Sequence, residues 1–374
     1  MIPSMKLWLS LIISLMTVLP VRAAAPPTLE QQIGQLLMVG FRGTELAADH
    51  WVMDAVSQGT LGGVILFDKD LQYPGSPRNI TFSRQLKNLT RQLQQAADQP
   101  LLIAVDQEGG QVVRLNSDDG FPHTSSHMQL GHRNDLAATT AAAQTIAGTL
   151  ADHGINLNLG PVIDLCSHPG NPVIYRYQRC FSADPQIVTA HAAAWIRAHQ
   201  HHNVLTALKH FPGHGSSLTD SHLGFSDISE TWSSSELIPY RQLIDQGLAD
   251  MVMTAHVFNR NLDMNAPATL SPQILQELLR QQLGFQGPIL SDDLQMGAIR
   301  DNYNFAESIK LALNAGVDLL LFGNNLIYDE KIIERSIRVI KELIAAGELE
   351  AEQVHCSYRR IQQLKQRLVK FSAD

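Results

Sequence analysis

At 374 residues, 44% of them hydrophobic, the chain can bury a large core, as one big domain or two modest ones. Charged residues make up only 17%, against roughly 25% in an average soluble protein, and the formal net charge is −8 with no basic block anywhere. That balance excludes a nucleic-acid partner, which needs a concentrated basic surface.

The chain opens with Lys6 ahead of an apolar run from Leu7 to Val21, followed by the small residues Ala23, Ala24 and Ala25. This is the three-part pattern of a secretory signal peptide, so residues 1–25 are set aside and residues 26–374 are read as the folded part. The run is shorter than the ~20 residues that a membrane-spanning helix needs, which argues against a permanent anchor. No cysteine precedes Cys166, so lipid attachment to a new N-terminal cysteine is excluded as well. The mature protein is expected to be exported, to a periplasm or beyond.

Eight apolar runs of strand length then follow: residues 35–41, 62–67, 100–107, 156–165, 204–211, 250–256, 287–294 and 317–322. Between them, residues 79–97, 136–154, 186–202, 271–285 and 304–316 space their apolar side chains as helices do, and Gly154 and Gly316 supply C-terminal stops. Continuous apolar strands alternating with amphipathic helices imply a parallel sheet covered by helices. A single-domain (β/α)8 barrel is the simplest solution, at about the ~250 residues typical of that fold plus inserted loops. An open doubly wound sheet would want a glycine-rich phosphate turn after the first strand, and FRGTELAADH supplies none. The C-terminal segment from Glu330 reads as two amphipathic helices broken at Ala346-Gly347, which would close the barrel.

The three cysteines, Cys166, Cys180 and Cys356, are too few and too scattered for a disulfide scaffold or a zinc ribbon. Cys166 and Cys180 could pair in an oxidising compartment, but buried free thiols are the plainer expectation.

In a barrel of this kind, polar residues at the C-terminal strand ends face the active site. That rule gathers Asp106, Gln107 and Glu108 after the third strand, Asp164 after the fourth and Lys209 with His210 at the fifth. It adds His256 at the sixth, and Asp292 with Asp293 at the seventh. The loop leaving the fifth strand, KHFPGHGSSLTDSH from 209 to 222, is dense in histidine. Its His210 and His214 have the spacing of a helical zinc pair, but Pro212, Gly213 and Gly215 interrupt any helix and the glutamate of HExxH is missing, so no metal is expected. Asp220 two residues before His222 suggests instead a carboxylate that orients an imidazole for proton transfer near neutral pH. One of the two aspartates in SDDLQMGAI (291 to 299) can serve as a nucleophile toward an activated carbon while the other caps a helix.

KHFPGHG followed by DSH, together with VDQEGGQVVRL (105 to 115), NPVIYRYQRCFSADP (171 to 185) and SDDLQMGA (291 to 298), resembles the family 3 glycoside hydrolases, specifically their β-N-acetylglucosaminidase branch. The resemblance runs over nearly all of the mature chain in the family's order. It implies a (β/α)8 barrel and release of terminal N-acetyl-β-D-glucosamine from peptidoglycan fragments or chitin oligosaccharides, with retention of configuration. Carried over by position, Asp292 matches the nucleophile, His222 the acid/base, and Asp220 the carboxylate that orients it. Asp106, Arg114, Arg179, Lys209 and His210 match sugar-binding positions. Asp293 is left as a helix cap, and His214 as a residue that holds the loop's shape.

The resemblance implies an oligosaccharide substrate, no cofactor, no metal, no membrane contact once the signal is removed, and a monomer. Single-domain relatives from Gram-negative bacteria are typically cytosolic recycling enzymes, whereas the signal here favours a periplasmic or secreted role. Cys180 also stands where the family usually has serine. A β-glucosidase or β-xylosidase of the same family, a phosphorylase, and a non-catalytic envelope sugar-binding protein are the competing readings.

Overall fold

The computed structural model describes residues 26–220, 224 and 226–368. The expected signal peptide and His222 both lie outside the described residues.

Eight parallel strands form the core: β1 (Leu37–Gly40), β2 (Gly63–Ile65), β3 (Leu102–Val105), β4 (Leu157–Asn158), β5 (Leu205–Phe211), β6 (Met251–Thr254), β7 (Ile289–Leu290) and β8 (Leu320–Phe322). They are hydrogen-bonded in the order β8-β1-β2-β3-β4-β5-β6-β7, and a parallel bridge between Leu290 and Leu319 closes the ring. The expected (β/α)8 barrel is therefore the fold. Strand residues such as Leu37, Val64, Ile103 and Leu208 are fully buried, as strands covered on both faces must be.

The helices wrap this ring for reasons visible in their ends. Asp135 accepts from the backbone of Ala137 and Ala138 to start Leu136–Asp152. Asp184 does the same for Pro185–His201, whose first residue is a proline that needs no donor there. Gly316, at φ +104°, ends Phe305–Ala315 with the left-handed turn that glycine adopts most readily. The last two helices, Ile332–Ala345 and Ala351–Lys365, are separated at Gly347 as expected. No helix among the described residues is long and apolar enough to cross a membrane.

Two departures from ideal strands shape the site. The apolar run 156–165 keeps only two residues in β4, since Gly160 N turns back to Asn158 O and Pro161 has no N–H to donate; the Gly160 and Pro161 carbonyls still accept from Ala207 N and Lys209 N, and Ile163 N donates to Lys209 O. Against β6, the β5 register shifts between Leu208 and Phe211, so β5 carries one extra residue there. A bulge of this sort breaks strict alternation and re-aims side chains. It falls on Lys209 and His210.

At the opposite end of the barrel, helix Leu29–Gln35 closes the floor, started by a capping box between Thr28 and Gln31. The Gln35 amide donates to Gly59 O and Leu61 O, and its Oε1 accepts from the buried Lys365 ammonium at 2.7 Å. The C-terminal helix is thereby tied to the first.

Candidate active site

A cavity of about 560 Å³ opens at the C-terminal ends of the strands. Of the expected site residues, Asp106, Arg114, Arg179, Lys209, His210, Asp220 and Asp292 all line it. His222 is the one outside the described residues.

Five of these join two further acids in an unbroken row. Arg114 lies 3.4 Å from Asp106 Oδ2, and Asp106 Oδ1 accepts from Lys209 Nζ at 2.8 Å. Lys209 Nζ is also 2.7 Å from Glu108 Oε1. Glu108 takes both Nε and an Nη of Arg179, at 2.9 and 2.8 Å. Arg179 donates to His210 Nε2 at 3.2 Å, and His210 Nδ1 donates to Asp164 Oδ2 at 2.7 Å. These two contacts select the neutral His210 tautomer with its proton on Nδ1.

Opposed pressures set the charges in this row. Burial pushes Glu108 up, but Arg179 and Lys209 more than offset it and hold the carboxyl well below the usual range. Asp106 is held low in the same way by Lys209 and Arg114, against its burial. Burial pulls Arg179 down and Glu108 overrides it, leaving the guanidinium more basic than usual. Glu108, Asp106 and Arg179 are therefore ionised, and their pairing offsets the cost of desolvating each of them.

The strand-end rule puts Glu108 and Asp164 at the rim without a role for either. Glu108 turns out to be the buried partner that holds both Lys209 and Arg179. Asp164 holds His210 and, through Oδ1, also accepts from the backbone N of His210 at 3.1 Å and of His214 at 2.8 Å. Gln107 turns away from the cavity: its Oε1 accepts from the backbone of Arg114 and Leu115, so it shapes the turn that presents Arg114.

On the far side, Asp292 follows β7. Its Oδ1 accepts from Asp293 N at 2.8 Å, and its own N–H points at Thr254 Oγ1, 3.4 Å away. Asp293 departs from the helix-cap expectation, since Met296 is the N-cap of Gly297–Arg300. Its Oδ1 accepts instead from Gln295 N and from Gly323 N after β8, both at 3.0 Å, tying two rim loops together. A Cβ at Gly323 would sit 2.5 Å from Asp293 Oδ2, so any larger residue there would displace this carboxylate. His256 is buried behind this loop, with Nε2 3.0 Å from Asp293 O and Nδ1 2.8 Å from Thr269 Oγ1.

His214 lines the cavity, and its carbonyl accepts from the Asn171 amide at 2.8 Å while its Nδ1 contacts Ser217 Oγ. Burial lowers its imidazole to about 4, so it is neutral at pH 7.

The cysteines correct an expectation. Cys166 and Cys180 are joined in a disulfide, with Cα atoms 5.4 Å apart, rather than standing as free thiols. The intervening segment folds back because Asn171 Oδ1 accepts from the backbone of Val173 and Ile174, which returns Cys180 to Cys166 and lets Cys166 N donate to Ser182 O. Arg179 is the residue before Cys180, so the bond pins this guanidinium near Asp164. Cys356 is the free thiol.

Residues 28–364 match the model of the Glycosyl hydrolase family 3 N terminal domain. Among curated proteins, the chain is 34% identical to Beta-hexosaminidase A of Pseudoalteromonas piscicida, over 94% of this chain and 63% of that one. It is 39% identical to a Beta-hexosaminidase of Tolumonas auensis, over 77% of this chain and 83% of that one. The chain thus spans less than two thirds of the Pseudoalteromonas relative. Two solved structures have the same fold. A glycoside hydrolase family 3 β-N-acetylglucosaminidase from Paenibacillus sp. superposes with a TM-score of 0.84 at 33% identity, covering 93% of this chain and 64% of that one. A β-N-acetylhexosaminidase from Beutenbergia cavernae superposes with a TM-score of 0.80 at 30% identity, covering 92% of this chain and 100% of that one.

Proposed function

The chain belongs to glycosyl hydrolase family 3, and on that premise we propose that it is a retaining exo-β-N-acetylglucosaminidase, removing terminal N-acetyl-β-D-glucosamine from oligosaccharides. The observation that carries the reading is the cavity itself: Asp292 and Asp220 line one space together with Asp106, Lys209 and Arg179. A half-buried carboxylate that opens onto the cavity beside fixed donors and acceptors suits a sugar whose hydroxyls must be held while its anomeric carbon is attacked. The names of the relatives, β-hexosaminidase and β-N-acetylglucosaminidase, support the same substrate class.

In the first step a carboxylate oxygen of Asp292 bonds to the anomeric carbon as the glycosidic bond breaks. The proton on His222 goes to the departing oxygen. In the second step water attacks that carbon, the bond to Asp292 breaks, and neutral His222 takes the water's proton. Asp220, two residues before His222, orients the imidazole. Lys209, Asp106, Arg114, Arg179 and His210 bind and orient the sugar, and none of them changes its bonding.

The natural substrate is proposed to be peptidoglycan fragments or chitin oligosaccharides met outside the cytoplasm by a monomer. The signal-like residues 1–25 support that setting, and so does the Cys166–Cys180 bond, since such bonds persist in oxidising compartments. The test is a panel of N-acetylglucosaminides, glucosides, muropeptides and chitin oligomers, assayed with and without phosphate. Release of N-acetylglucosamine with retained configuration, abolished in Asp292→Ala, is the expected result. Full activity in Asp292→Ala, preference for glucosides, or sugar 1-phosphate as the main product would overturn it.

A further inference from the structure

Behind the loop that leaves β5 lies a carboxyl group with no part in the chemistry above. Glu236 ends the short turn Ser234–Glu236, just ahead of helix Leu237–Asp245, and is 1% exposed. Its Oε2 accepts from Leu165 N at 3.0 Å, and its enclosed Oε1 has no hydrogen-bond partner among the described residues. The side chain lies flat against the loop backbone. A Cβ at Gly213 would fall 2.6 Å from Glu236 Cβ, and one at Gly215 would fall 2.8 Å from Glu236 Oε1 and 1.9 Å from Leu165 O. Gly213 also has φ +123°, so conformation and space both demand glycine there. The neighbouring Trp232 indole donates to Pro212 O at 3.1 Å.

The same loop is gripped on its other side by Asp164, through the backbone N–H groups of His210 and His214. We propose that Glu236 is a positioning residue for proton transfer: it holds Leu165 and seats the Gly213–Gly215 backbone, fixing the root of the loop that carries Asp220. The inference rests on the glycosidase reading above, in which that loop delivers the proton.

The two acids divide the work by charge. Asp164 has an imidazole and two backbone donors, and these outweigh its burial to keep it ionised. Glu236 has the Leu165 backbone donor, the Ser167 hydroxyl nearby and no cation among the described residues; burial, then the charge of Asp164, outweigh both donors and push its carboxyl well above the usual range. It acts as a neutral acid, whose carbonyl oxygen serves Leu165 N–H as a glutamine amide would.

The test compares wild type, Glu236→Gln, Glu236→Ala and Gly213→Ala on two N-acetylglucosaminides. One carries an acidic aryl leaving group that departs without a proton; the other carries a sugar leaving group that needs one. Since general acid catalysis contributes about 10²- to 10⁴-fold, kcat/KM on the sugar substrate should fall at least ~30-fold in Glu236→Ala and Gly213→Ala, and under ~3-fold on the aryl substrate. Glu236→Gln should stay within about 3-fold of wild type on both, with an unchanged pH profile. Equal losses on the two substrates, or none, would overturn the proposal, as would a glutamine variant as impaired as alanine. If Glu236→Ala fails to fold, the pH profile of Glu236→Gln decides: a shifted acidic limb overturns the neutral-acid role. A wild type inactive on both glycosides would instead overturn the functional reading beneath it.

Discussion

The Lys209 ammonium sits between two carboxylates, 2.8 Å from Asp106 Oδ1 and 2.7 Å from Glu108 Oε1, with Arg114 and Arg179 on their outer sides. Charge therefore alternates from Arg114 through Asp106, Lys209 and Glu108 to Arg179, each held by neighbours of opposite sign. Removing the central cation leaves two nearby anions facing each other. Lys209→Met should cost about 3–5 kcal/mol of stability, as breaking a buried pair does, and abolish turnover. Lys209→Arg should not restore it, because a planar fork cannot place one point charge between two separate carboxylates. Urea denaturation and kcat/KM check both expectations; a rescued arginine variant would refute the single-point-charge account.

Acid sensitivity follows from the same row. The folded-state pKa values of Glu108, Asp106 and Asp164 all lie below their unfolded values of about 4, so their stabilisation is fully present above about pH 4. It is lost as pH falls through the lower folded values. Glu108→Gln should lower Tm near neutrality and flatten its decline between about pH 4 and pH 2. Parallel Tm curves for the two proteins would contradict this.

Reduction of the Cys166–Cys180 bond should act on substrate binding. The bond closes a loop with a sequence separation of 14. The chain-entropy model assigns such a loop about 3 kcal/mol. Because Arg179 adjoins Cys180, the double variant Cys166→Ser/Cys180→Ser should raise KM more than it lowers kcat, besides lowering Tm. Dithiothreitol should reproduce the effect in wild type and change nothing in the variant.

Lys365 predicts a gain. It is buried, with the Gln35 amide oxygen as its one acceptor among the described residues, and burial lowers its pKa from 10.5 to about 7. Below pH 7 the folded state carries the full cost of a buried charge. As pH rises from 7 toward 10.5 the unfolded chain still binds the proton while the folded one has released it, so stability climbs. Lys365→Met should therefore raise Tm, most at pH 7 and below, with the advantage shrinking toward pH 10. A Tm increment independent of pH would count against it.

What was legible in the sequence followed from periodicity and from short motifs. Eight apolar runs and the helices between them identify the barrel, and the strand-end rule places Asp106, Lys209 and Asp292 together. Partnerships across long separations were not legible. Glu108 meets Arg179 across 71 residues, and Glu236 meets Leu165 across the same distance. Nothing local marks Glu236: a lone glutamate ahead of a helix reads as a favourable charge at its N-terminus. The disulfide is hidden from the sequence for a related reason. Its closure depends on Asn171 folding the segment 167–179 back on itself, and cysteine spacing alone does not encode that turn.

The floor formed by helix Leu29–Gln35 sets an orientation for whatever is joined to the chain. Thr28 begins that helix on the face opposite the cavity, and Lys365 brings the C-terminal helix to the same face through Gln35. A tether attached ahead of Thr28, whether a surface linker or an affinity tag, is thus fixed at the base of the barrel. Molecules immobilised this way on a bead should stand with their mouths turned outward, toward incoming polymer ends.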